Sequence, residues 1–327
     1  MKRPFILAAW ILSAGWLAMP ADAQTSVPAT SAAKPASSPA KAPKKKLVIP
    51  PTVELIADVE YSRPDGSPLL LDLYLPKAPA AKPRPLVVWI HGGGWWTGNK
   101  SSAAGTPALR LVERGFAFAS IDYRLTNVAI FPAQIEDCKT AIRFLRANAS
   151  RYNIDPDHIG VWGGSAGGHL AALLGVTNDI KELDGSRYGY SQVSSAVQAV
   201  VTLYGLHDLP ALSNPGPRVA KILRDFLGGS VVARHDLAVT ASPITYVKKG
   251  VVPFLIYHGE KDPAVPVDQS RRFYDRLRQA GVEATYHEIH GGGHDMKSYP
   301  ADRYAQEITA FFEKHLGKPP AAASKAP

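Results

Sequence analysis

The 327-residue chain predicts an α/β fold: a mostly parallel sheet opened by an antiparallel hairpin, with helices on both faces. Three observations predict it. Short, nearly unbroken apolar runs recur along the chain, segments with helical spacing lie between most of them, and a Pro-Asp-Gly turn joins two strand-like stretches near the start.

Val53–Tyr61 and Leu69–Leu75 flank Arg63-Pro64-Asp65-Gly66, which reads as a hairpin with a tight turn. Leu86–Ile90, Phe116–Ile121, Ile159–Trp162, Val197–Leu203 and Phe254–Tyr257 are apolar throughout, as strands covered on both faces must be, and Ala284–Ile289 completes a set of eight. Between them, Ile135, Cys138, Ile142, Leu145 and Ala149 recur at steps of three and four, marking one stripe of a helix that starts near Pro132 and burying the lone cysteine as inert core. Phe273 and Leu277 precede Gly281, a helix stop, and Tyr304, Ile308 and Phe311 mark a last amphipathic helix.

The ends have a different character. Residues 1–23 read as a signal peptide: Lys2 and Arg3, an uncharged run from Phe5 to Met19, Pro20, then the small-x-small pattern Ala21-Asp22-Ala23. A run of that length falls short of the roughly 20 residues that span a bilayer, so the expectation is export to the periplasm or medium with no stable membrane insertion after cleavage. Residues 24–50, rich in Ala, Pro, Ser and Lys, cannot bury a core and read as a linker, leaving 51–317 as the folded domain and 318–327 as a frayed tail. The net charge of +9 sits largely in these ends; 51–317 holds 28 Lys+Arg against 27 Asp+Glu. A nucleic-acid-binding domain carries its positive charge on the folded part, so that class is set aside.

The chemistry-bearing residues fall where apolar runs end, and ligands on a parallel sheet bind at the carboxyl ends of its strands. Gly163-Gly164-Ser165-Ala166-Gly167-Gly168 lies between the run Ile159–Trp162 and an Ala/Leu-rich helix. A G-x-S-x-G frame at a sharp strand-to-helix turn pushes a serine hydroxyl outward, so Ser165 is the predicted nucleophile. A phosphate-binding loop would need a Lys before its Ser/Thr, and none is present.

A serine hydroxyl needs a base, and the base an orienting group. Of ten histidines, His294 in His290-Gly291-Gly292-Gly293-His294-Asp295 is the predicted base; His290 reads as structural, and His287 belongs to the strand. The three glycines also argue against a helix aligning His290 and His294 on a metal. Asp262, just before Pro263 and after the run ending at Tyr257, is the predicted acid, ahead of Glu260 and Asp268, with Asp208 as the fallback. The chain order Ser, Asp, His is that of an α/β-hydrolase triad. Finally, the glycines of His91-Gly92-Gly93-Gly94 can turn backbone N–H groups toward a developing oxyanion, joined by the N–H of Ala166. Trp95 and Trp96 beside them read either as pocket lining or as core, and the Pro/Gly-rich segment 207–239 either as a cap or as a surface loop.

The ordered set resembles the α/β-hydrolase esterases with an H-G-G-G oxyanion loop, and within them the carboxylesterases that include acetylxylan and feruloyl esterases. The resemblance runs from about Val53 to Leu316. It is carried by His91 to Trp95, Asp122-Tyr123-Arg124-Leu125, Phe131 to Asn148, Ile154-Asp155-Pro156, Gly163 to Leu170, His258 to Pro266 and Gly293-His294. Two positions depart from it: many relatives carry an acidic residue in place of Gly164, and a glycine in place of Asp295. The resemblance implies a cofactor-free serine esterase acting on a small-molecule or polysaccharide ester of short-chain, acetyl or feruloyl type. Ser165, His294 and Asp262 would be its triad, and Gly92, Gly93, Gly94 and Ala166 its oxyanion donors. A serine peptidase on the same triad, and a non-catalytic ligand-binding relative, are the other two classes open to this sequence.

Overall fold

The computed structural model describes residues 48–212 and 215–320. The signal peptide over 1–23, the linker as far as residue 47 and the tail from residue 321 lie outside the described residues. Among the described residues, no helix is long and apolar enough to cross a membrane.

The hairpin forms as expected. Strands β1 (Val53–Ser62) and β2 (Leu69–Pro76) pair antiparallel, and between them Asp65 and Gly66 take the positive φ values of 54° and 82° that close the Pro-Asp-Gly turn. There follow β3 (Arg84–Ile90), α1 (Ala108–Glu113), β4 (Ala117–Ile121), α2 (Ala133–Ala147), β5 (Ile154–Gly164), α3 (Ala166–Val176) and β6 (Ala199–Leu203). The chain continues through α4 (Pro217–Leu227), α5 (His235–Thr240), β7 (Phe254–Gly259), α6 (Asp268–Gln279), β8 (Ala284–Ile289) and α7 (Ala301–Leu316).

The eight strands make one sheet in the order β1-β2-β4-β3-β5-β6-β7-β8, in which β2 alone runs against the rest. After β3 the chain steps outward to β4 and then returns past β3 to β5. This reversal opens a crevice at the carboxyl ends of β3 and β5, where an α/β sheet binds its ligand. The loop beginning at His91 and the turn at Ser165 meet there.

Alternation along each strand feeds two cores. Leu86, Val88 and Ile90 of β3 join the core that takes in Ile135 of α2, Leu170 of α3 and Phe273 of α6, while Val87 and Trp89 join the one that takes in Leu111 of α1 and Ile308 and Phe312 of α7. Helix α6 ends in a Schellman turn: Gly281, at φ 72°, donates to Arg278 O, and Val282 N to Leu277 O, as the expected stop requires.

Two helices differ from expectation. On α7 the inward side chain is Phe312, not Phe311, because Gly160 of β5 leaves a hole: a Cβ there would lie 2.6 Å from the Phe312 ring. Helix α2 carries the predicted stripe from Ile135 to Leu145, with Ala149 just past its end, all of it buried, but its polar side is covered as well. Arg143 binds Asp184 at 2.7 Å, and Lys139 donates to Thr177 O at 2.6 Å, its ammonium pushed down to about 8 by burial. The segment after α3 lies over that side, a long-range contact that periodicity does not report.

Candidate active site

Ser165 sits between β5 and α3 with φ 56° and ψ −122°, a conformation that L residues avoid and that costs on the order of 1–3 kcal/mol. Its neighbours must be small. A Cβ on Gly163 would lie 2.2 Å from Gly167 O, and one on Gly167 2.0 Å from Ile90 O. The turn is pinned by Ser165 N donating to Leu203 O at 2.8 Å and by His169 N donating to Ser165 O at 3.0 Å. The serine is therefore presented by a rigid device spanning β3, β5 and β6.

Ser165 Oγ lies 2.9 Å from His294 Nε2, and His294 Nδ1 lies 2.6 Å from Asp262 Oδ2. Three side chains from the ends of β5, β7 and β8 thus converge, as the chain order predicts. The imidazole remains about a quarter exposed, while the Asp262 side chain is enclosed. Burial alone would raise the affinity of that carboxyl for a proton, but hydrogen bonds from His258, His294 and the Val265 amide outweigh it and hold Asp262 well below the usual carboxylate range. It is a fixed anion behind His294.

The other acids and histidines are committed elsewhere. Glu260 binds exposed His290 at 2.8 Å and accepts from Gly291 N, and Asp208 binds Arg272 at 2.6 Å. Asp268 opens α6, and His287 stacks on Tyr257 within the sheet. His91 is buried, stacked on Tyr123 at 4.2 Å between ring centres, and burial pushes its imidazole down to about 4. It shapes the loop.

The glycine loop adjoins the serine directly: a Cβ on Gly92 would lie 3.3 Å from Ser165 Cβ. Gly93 and Gly94 have φ values of 110° and 62°, turning the peptide planes, and among the described residues their N–H groups and that of Ala166 find no protein acceptor. Idle donors on a strained loop beside a serine are what an oxyanion requires. Among the described residues no three His, Cys, Asp or Glu side chains converge in a metal-ligating arrangement.

The two tryptophans part company. Trp95 is buried and is core, not pocket lining: its own φ of 56° turns it inward to stack on Phe226 of α4 at 3.9 Å. Trp96 is 58% exposed and, with Thr126, Asn127, Arg224, Asp225 and Gly228, lines an open cleft of about 410 Å³. Segment 207–239 contains α4, which packs through Leu223, Phe226 and Leu227 and sets Ile222 against Gly94, so it roofs the glycine loop.

Sequence reading missed Tyr204. It follows β6 with φ 39°, lays its ring 4.6 Å from that of His294, and brings its hydroxyl to 3.2 Å from where a Gly164 Cβ would be. A side chain at Gly164 would press on this hydroxyl and the edge of its ring. The only sequence signal was the position of Tyr204 at the end of an apolar run.

The architecture is that of the α/β-hydrolases. The chain belongs to the BD-FAE family, whose model matches residues 71–277, taking in Ser165 and Asp262 and stopping before His294. Among curated relatives, Esterase LipQ of Mycobacterium tuberculosis is 35% identical over 261 residues and Esterase LipC of the same organism 36% identical over 233. These alignments cover 78% and 70% of this chain but only 61% and 57% of the relatives. Solved structures match over more of their length. A truncated carbohydrate esterase from gut microbiota superposes with a TM-score of 0.73 at 34% identity, over 80% of this chain and 95% of that one. A propionate-bound thermophilic esterase from Thermogutta terrifontis superposes with a TM-score of 0.67 at 26% identity, over 84% and 97%.

Proposed function

We propose that the chain is a serine esterase that hydrolyses carboxylic esters through an acyl-enzyme on Ser165. The observation that carries this is the continuous chain Ser165 Oγ, His294, Asp262, at 2.9 and 2.6 Å, on a strained elbow at the carboxyl edge of the sheet. Ser165 attacks the ester carbonyl as His294 Nε2 takes the hydroxyl proton, while Asp262 holds the imidazole with its proton on Nδ1. The oxyanion is received by the N–H groups of Gly93, Gly94 and Ala166, each such donor worth about 3–4 kcal/mol in the transition state. The imidazolium then protonates the departing alcohol, and a water molecule activated by His294 releases the acid.

The substrate is an ester with a short acyl chain or an acetyl or feruloyl group, borne on a small alcohol or a polysaccharide. The carbohydrate esterase and the propionate-bound esterase among the structural relatives support this. Export rests on the leader pattern over residues 1–23.

The test is Ser165→Ala in the mature protein. Hydrolysis of p-nitrophenyl acetate and labelling by a fluorophosphonate probe should both disappear while the melting curve is retained; undiminished turnover would refute the assignment. A parallel panel of acetyl, feruloyl, longer acyl and amide substrates separates esterase from peptidase.

A further inference from the structure

We propose that His258 is a positioning residue for Asp262, and that Ser270 fixes the imidazole that does so, extending the triad inward to a chain of five side chains. The proposal rests on the reading of Ser165, His294 and Asp262 given above.

His258 stands one residue before the end of β7, and Ser270 in the first turn of α6; both are fully enclosed. His258 Nε2 is 2.9 Å from Val265 O and 3.3 Å from Asp262 Oδ2, while its Nδ1 is 2.7 Å from Ser270 Oγ. A backbone carbonyl can only accept, so Nε2 carries a proton. Nδ1 pairs with the Ser270 hydroxyl, which fixes the ring face.

The carboxylate of Asp262 is then fully engaged. Oδ1 accepts from the amides of Ala264 and Val265 at 2.8 and 2.9 Å, and Oδ2 lies between two imidazoles, His294 at 2.6 Å and His258 at 3.3 Å. The amides hold only one oxygen. His258 backs the other from inside the protein at 3.3 Å, and its Nε2–H holds Val265 O, the carbonyl of the residue whose amide binds Oδ1, so the imidazole pins the turn that presents Asp262 to His294. His258 is itself anchored by the sheet and by α6, and being enclosed it reaches no substrate. Its other charged or titratable neighbours are His207, after β6, and Glu288, on β8, the latter engaged by Arg271.

The experiment compares His258→Leu, His258→Gln and Ser270→Ala in the full chain, normalised to active sites titrated with a fluorophosphonate. It reads kcat and KM for p-nitrophenyl acetate, the acid limb of kcat/KM against pH, and the far-downfield proton NMR signal of the His294–Asp262 hydrogen bond. His258→Leu should lower kcat about 10–100-fold, the scale of loss known for partners that orient metal-binding side chains. KM should hold, the acid limb should move, and the downfield signal should broaden. His258→Gln, which keeps an N–H for Val265 O, should recover much of the rate, and Ser270→Ala should lose a few-fold in the same direction.

A His258→Leu enzyme with parental kcat, acid limb and downfield signal, differing only in melting temperature, overturns the proposal. So does His258→Gln performing no better than His258→Leu. Should His258→Leu not fold, Ser270→Ala decides alone: a parental rate and acid limb there overturns the assignment. Ser165→Ala in the same series separates the two readings. If it still turns over, the triad itself is wrong; if it is inactive while His258→Leu runs at the parental rate, only the extension fails.

Discussion

Two polar clusters in this molecule are built from similar parts and do opposite things. At Arg124 the guanidinium engages both oxygens of Asp137, at 2.8 and 2.9 Å, and reaches Asp65 at 2.9 Å, with its own amide donating to the same Asp137. Glu136, paired with Arg187 at 3.0 Å, and the Tyr188 ring, 4.6 Å from the guanidinium, close the group. Like the Ser165 site it draws on distant segments: the β1–β2 turn, the loop after β4, and α2. Every strong donor and acceptor there is engaged, and Arg124 and Asp137 are buried. At Ser165 the acid is equally well held, but the imidazole is partly exposed, the serine backbone is strained and the amides of the glycine loop are idle. A satisfied network holds structure in place; one left open at a single end can pass a proton.

The largest expected effect sharpens that contrast at the two aspartates. Asp262→Asn should leave a folded protein with kcat lower by up to about four orders of magnitude, because the amide favours the wrong tautomer of His294. The carboxyl is held below its ordinary value, so its contribution to stability is complete above the unfolded value of about 3.9 and is lost only as pH falls through the depressed folded value. The melting-temperature gap between parent and variant should therefore stay constant from pH 7 to about 5 and narrow only below about 4. A gap that closes by pH 6 in paired thermal melts would contradict a carboxylate so held.

Asp137→Asn should reverse the pattern. Removing one partner strands Arg124 inside the protein and costs about 3–5 kcal/mol of stability, while kcat per folded molecule holds. Denaturant melts and active-site-titrated kinetics on the same preparations check both halves; a fall in kcat with stability intact would mean that the Arg124 cluster supports the chemistry.

The elements of the site differ in how far the sequence revealed them. Ser165, Asp262, His294 and Gly92 to Gly94 were legible because each sits in a turn whose residue types are dictated by chain neighbours: small residues around a strained serine, glycines where φ is positive, a proline after the acid. The strands were legible from their apolar runs. The placing of β4 between β2 and β3 was not, because several orders bury the same runs. Phe312 was chosen over Phe311 by a glycine some 150 positions away, and Trp95 was drawn into the core by Phe226 of α4. Tyr204 was missed for the same reason: its ring meets His294 from two strands away, with no local composition to announce it.

The smallest expected effect falls at Trp96, which with Trp95 repeats the contrast of the two clusters within one dipeptide. Trp95→Ala empties a slot between Phe226 and His169 and should cost about 3–5 kcal/mol of stability, as deletion of a buried aromatic does. Trp96→Ala removes an exposed ring and should leave the melt nearly unchanged. If that indole packs against the substrate, its loss is worth about 1 kcal/mol, which raises KM roughly fivefold for feruloyl or sugar esters large enough to reach it, and less for acetates of small alcohols. Steady-state kinetics across such a series checks this. An equal rise for every ester would show that the Trp96 side chain acts through the backbone of the glycine loop and not through contact with the substrate, since the backbone bond from Trp96 N to Gly93 O at 3.2 Å is kept in the variant.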